Sequence, residues 1–144
     1  MPRASDPPWK PSTSDYSAVF SEQNPWHATH RVPGEWAPQV QRVLAQRLPT
    51  RLLSDRPRRY QLVLGPRRVG KTTALYQTTA LLLDAGVPAE RVWWLRLDHP
   101  LLMQVELGAL VRTVVQASRA TSDAPVFLML DELAHADSWD LWLK

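Results

Sequence analysis

Gly65-Pro66-Arg67-Arg68-Val69-Gly70-Lys71-Thr72 is the stretch whose reading decides the fold. An apolar run, Leu62-Val63-Leu64, precedes it and predicts a buried strand; a helix-forming run from Thr72 to Asp84 follows it. The spacing G-x-x-x-x-G-K-T between a strand and a helix is that of a phosphate-binding loop. Glycines at 65 and 70 allow a tight turn and keep any Cβ away from a phosphate. The loop N–H groups then converge on one point, and the helix start adds its positive end. On this reading Lys71 reaches the β- and γ-phosphates, and Thr72 offers a hydroxyl to Mg²⁺. The bland alternative is a glycine turn with a surface lysine.

A second stretch points to the same chemistry. Val126-Phe127-Leu128-Met129-Leu130 reads as a buried strand that ends in Asp131-Glu132. About sixty residues after a phosphate loop, such a pair divides labour: Asp131 holds Mg²⁺ through water, and Glu132 polarises the water that attacks the γ-phosphate. The alternative is a strand that meets charged residues as it leaves the core.

Working outward, the order is a helix, then β-α-β-α-β-α. A helix over 37–48 places Val40, Val43, Leu44 and Leu48 on one face, with Pro38 in its first turn and Pro49 ending it. A basic connection over 49–59 leads to the first strand, Tyr60 to Leu64. The next helix runs to Asp84, with Gly86 and Pro88 as stop signals. A second strand spans Arg91 to Leu97, and its paired tryptophans, Trp93 and Trp94, face opposite sides as packing residues. Asp98 caps a helix over 99–117, Val126 to Leu130 is the third strand, and Ser138 caps a last helix near Trp139. Alternating strands and helices imply a parallel sheet covered on both faces, with ligands at the carboxyl ends of its strands. Both signature stretches lie at such ends.

Residues 1–35 are rich in Pro, Ser and Trp and read as an irregular arm, with Trp9, Trp26 and Trp36 as anchors on the folded body. Residues 36–144 form the domain. His27 and His30 have no third ligand nearby. The chain has 144 residues, enough for one domain with a core, and no cysteine, which excludes disulfides and thiolate metal sites. Its apolar runs are too short for a membrane span or a signal peptide, so the expected setting is soluble and cytoplasmic, with no membrane contact. The net charge is +3. Arginines cluster between Arg51 and Arg59; this admits nucleic acid as a partner, although a solvated basic face is the plainer reading.

Gly65 to Thr73, then Leu130-Asp131-Glu132-Leu133, Trp139 and Leu143-Lys144, resemble the prokaryotic AAA-superfamily ATP-binding proteins, and Asn24-Pro25-Trp26 resembles some members as well. The resemblance covers about 24–144. It implies a three-layer P-loop NTPase sandwich, ATP and Mg²⁺ as ligands, Gly65, Pro66, Arg67, Arg68, Val69, Gly70, Lys71, Thr72 and Thr73 around the nucleotide, Thr72 and Asp131 at the metal, and Lys71 and Glu132 in catalysis. In that family another strand, carrying a polar sensor, lies between the loop strand and the Asp131-Glu132 strand. An arginine finger, a lid and usually a C-terminal domain follow. The chain stops at Lys144, so the resemblance implies an incomplete sheet with an open slot. It also implies ATP hydrolysis only in a complete protein, with the finger coming from a further domain or a protein partner. Two other readings stay open from the residues alone. One is a P-loop kinase acting on a small acceptor, which Glu132 opposes. The other is a non-catalytic module that uses nucleotide as a switch.

Overall fold

A computed structural model describes residues 9–54 and 60–144. Its sheet has two parallel strands, β1 (Val92–Arg96) and β2 (Phe127–Asp131), paired from Val92–Phe127 to Arg96–Asp131. Side chains alternate across it. Trp93, Leu95, Leu128 and Leu130 face one layer, built from α1 (Thr13–Gln23) and α5 (Leu107–Ser118). Val92, Trp94, Phe127 and Met129 face the other, which holds α2 (Trp26–Thr29) and α4 (Lys71–Asp84), with Leu52 of α3 (Val43–Ser54) at its margin. The expected three layers and the opposed tryptophans are therefore present. A short α6 (Trp139–Trp142) packs on α5.

The loop helix α4 is the best-defined element of the site. Gly70 starts it at φ 88°, and Gly86 ends it at φ 91°. Val87 N donates to Leu82 O and Gly86 N to Leu83 O, the paired bonds of a Schellman turn that satisfy the last carbonyls. At the other end the first turn carries Lys71 and Thr72 to the edge of the sheet.

The expected first strand does not join the sheet. Residues 60–66 carry no strand assignment, and Tyr60, Leu62 and Leu64 are exposed. Among the described residues β2 has no second neighbour, and it shares an open groove of about 1460 Å³ with residues 60–64. An apolar run buries itself only against a partner strand, and none is present between the two.

Residues 9–35, the described part of the expected irregular arm over 1–35, carry two helices. From residue 13 the segment is largely helical, despite its prolines. Two of them sit where a helix starts: Pro11 lies ahead of α1, and Pro25 occupies the N-cap of α2. The Asp15 carboxylate accepts from the Ser12 backbone N–H at 2.6 Å and completes the helix start. Tyr16, Val19 and Phe20 then enter the core beside Trp93. Of the three anchors, Trp26 is fully buried and Trp36 stacks on Tyr76, but Trp9 is exposed.

The turn after α1 closes the outer edge of β1 with side chains. Gln23 Oε1 accepts from Arg96 N and Gln23 Nε2 donates to Arg96 O, at 3.0 and 3.4 Å. Asn24 Oδ1 accepts from Trp94 N at 2.6 Å. Trp26 Nε1 and His27 Nε2 both reach Val92 O, at 2.8 and 2.9 Å. Residues 92, 94 and 96 are the ones whose backbone groups face outward, so five side-chain contacts from residues 23–27 stand where a further strand would pair.

Other boundaries shift for local reasons. The helix expected over 37–48 starts at Val43 and passes through Pro49 to Ser54. Its predicted first turn is instead an irregular, bent segment held by Gln77, and Val40 and Val43 are exposed. The part of the basic connection at 55–59 lies outside the described residues. The helix expected from 99 starts at Leu107, because Asp98 binds the Arg96 guanidinium and does not cap. Ser138 precedes α6 but makes no side-chain cap.

Candidate functional site

The residues singled out in the sequence meet at one end of the sheet. Gly65, Pro66, Arg67, Arg68, Val69 and Gly70 form an exposed turn, with Arg68 and Gly70 at positive φ. Lys71, Thr72 and Thr73 open α4. Asp131 ends β2, and Glu132 follows it in a left-handed conformation at φ 55°. A Cβ at Gly65 would lie 3.3 Å from Val69 Cγ2, so the turn closes tightly on itself there.

Lys71 curls over this turn. Its Nζ donates to Gly65 O and Pro66 O, each at 2.6 Å. An ammonium has three donors, so among the described residues one is left without a partner. Arg67 and Arg68 line the same groove. With the positive end of α4, these groups gather positive charge at the end of the sheet.

Thr72 Oγ1 donates to Asp131 Oδ2 at 2.6 Å and joins the two signature stretches across the groove. Asp131 is 7% exposed; its Oδ1 accepts from Glu132 N at 3.0 Å, and its backbone carbonyl accepts from Leu97 N. A hydroxyl and a carboxylate are hard oxygen donors, which suit Mg²⁺. The hydroxyl that donates to this carboxylate keeps lone pairs for the ion, and the carboxylate can accept from a metal-bound water, so the two residues suit Mg²⁺, Thr72 directly and Asp131 through water. Among the described residues no group of three or more His, Asp or Glu converges elsewhere, and His27 is engaged with Val92 O.

Glu132 is about half exposed, and its Oε2 lies 3.7 Å from His135 Nε2. Beside it, Arg96 makes a bidentate pair with Asp98 at 2.6 and 2.9 Å. Hydrogen bonds from Arg96 hold the Asp98 carboxyl below its usual range, and the same pair raises the arginine. Arg96 and Asp98 were missed in the sequence reading. Their spacing of two at the end of a strand, which puts both on one face, was the available signal. Gln77 and Arg42 were missed as well, because nothing local marks either.

With this geometry in hand, comparison with known proteins gives one result. The family described as an AAA domain matches residues 57–144. No curated protein and no solved structure gives a match.

Proposed function

The chain belongs to the AAA domain family, and from that premise we propose that it is a Mg-ATP-binding ATPase core whose phosphates sit on the 65–73 loop. The observation that carries this reading is the Thr72–Asp131 hydrogen bond, which joins a loop hydroxyl to a strand-end carboxylate across the groove.

In this reading the loop N–H groups and the free donor of Lys71 bind the β- and γ-phosphates. Thr72 would hold Mg²⁺ directly and Asp131 would hold it through water, and the ion would supply charge that offsets the phosphates. Glu132, next to Asp131 and open to solvent, orients and deprotonates the attacking water. Residues 36–144 form the AAA-type unit, and the preceding segment packs onto it through α1 and α2. Turnover needs cationic charge on the γ-phosphate beyond Lys71, and we assign that role to a further domain or a protein partner.

Equilibrium titration with Mg-ATP tests this. Lys71→Ala should abolish binding, while Glu132→Gln should keep it and remove any hydrolysis by the assembled protein. Equal loss of binding in both variants would contradict the assigned roles.

A further inference from the structure

Arg42 and Gln77 lie outside both signature stretches, yet they are built into the loop. Gln77 is on α4, seven residues after Gly70. At 3.6 residues per turn, that spacing puts the two positions within about 20° of the same helix face and about 10 Å apart along the axis. Gln77 is 2% exposed, and its amide is almost fully used: Nε2 donates to Pro38 O at 2.8 Å and Val40 O at 2.9 Å, and Oε1 accepts from Arg42 N at 2.9 Å. One buried side chain thus fixes the 38–42 segment along α4.

The consequence appears at the other end of that face. The Arg42 side chain runs toward the loop, and its Nη1 donates to Val69 O at 3.2 Å. Its guanidinium lies so close to Gly70 that a Cβ there would stand 2.2 Å from Cζ. Gly70 is needed for its φ of 88°, and the absence of a Cβ there leaves room for the guanidinium to lie against it. Among the described residues neither Arg42 nor Lys71 has a carboxylate within salt-bridge distance. Two cations stand together at the positive end of a helix, an arrangement that a polyanion stabilises.

We propose that Arg42 is a positioning residue of the phosphate site: Gln77 holds it in register, its guanidinium braces the loop at the Val69 carbonyl, and its charge raises affinity for the polyphosphate of a nucleoside triphosphate. This rests on the loop reading above. Removing the brace loosens the Val69–Gly70 peptide, whose N–H belongs to the anion site.

The test is calorimetric titration of the whole chain with Mg²⁺ and a slowly hydrolysed ATP analogue. Arg42→Ala should raise Kd about tenfold, the size of one charge-assisted contact, and should flatten the salt dependence. Arg42→Lys should restore part of the affinity. The thermal midpoint without nucleotide should stay within about 1 °C, because the side chain is exposed. An unchanged Kd in Arg42→Ala, while Lys71→Ala abolishes binding, overturns the inference and leaves the loop reading standing. A loss matched by a comparable fall in midpoint, with no rescue by lysine, assigns Arg42 a structural role only and also overturns it. Normal binding by Lys71→Ala overturns the loop reading and this inference with it.

Discussion

Replacing Asn24 with Leu tests how the outer edge of β1 is protected. Asn24 is 1% exposed; its Oδ1 accepts from Trp94 N and its Nδ2 donates to Phe20 O at 2.8 Å. Leucine has similar bulk and neither polar atom, so the change removes two bonds and creates little cavity. Phe20 O keeps its bond from Asn24 N at 3.0 Å. Trp94 N–H has no such reserve: Trp94 is 3% exposed, and water cannot replace the lost acceptor. An unsatisfied buried donor costs about 1–3 kcal/mol, and the second bond adds less than about 1 kcal/mol because its acceptor stays partnered. The expected loss is about 2–3 kcal/mol, a large share of the 5–15 kcal/mol typical of a domain. For a chain of this size that lowers the thermal midpoint by roughly 6–9 °C. Gln23→Ala is the matched control. Its bonds to Arg96 are exposed, so water substitutes for them and the loss should be about 0.5 kcal/mol. Urea denaturation of both variants supplies the numbers. A loss below about 0.5 kcal/mol for Asn24→Leu, or equal losses in the two variants, would refute the argument that side chains stand in for a strand on this edge.

His27 should make stability depend on pH. Burial pushes its pKa below the ordinary 6.5, against the opposing pull of its bond to Val92 O and of nearby Glu90. The folded state therefore prefers the neutral ring. That contribution is fully present above the unfolded value near 6.5 and is lost as the pH falls through the lower folded value; denaturation midpoints at pH 7.5 and pH 5 should differ in wild type and converge in His27→Gln. Gly108→Ala should free α6. A Cβ there would meet the Trp142 ring at 2.1–2.6 Å, so the ring must shift; if it leaves α5, as we expect, tryptophan emission moves to the red. Unchanged emission would show that the ring adjusts in place.

Much of the site was legible in the sequence because its chemistry is local. Gly65 to Thr73 form one turn and one helix start, and the residue types there follow from backbone freedom and phosphate charge. Asp131-Glu132 could be placed at a strand end from the apolar run before it. The alternation of strand and helix was enough to expect a parallel sheet with both faces covered, and β1 and β2 with their two cores bear that out. The rest depended on partners distant in the chain. Tyr60 to Leu64 has a strand's composition but stays unpaired, since pairing needs a neighbour that no local pattern supplies. Residues 38–42 favour a helix by spacing, yet Gln77 takes their backbone groups from 35 to 39 positions away. The turn at 23–27 carries no strand signal, but its side chains close the outer edge of β1 from about seventy positions away. Local propensity and residue chemistry were thus set by the sequence alone. Which backbone hydrogen bonds each segment makes was decided only in the tertiary structure, where a buried N–H or C=O takes the nearest partner, whatever its place in the chain.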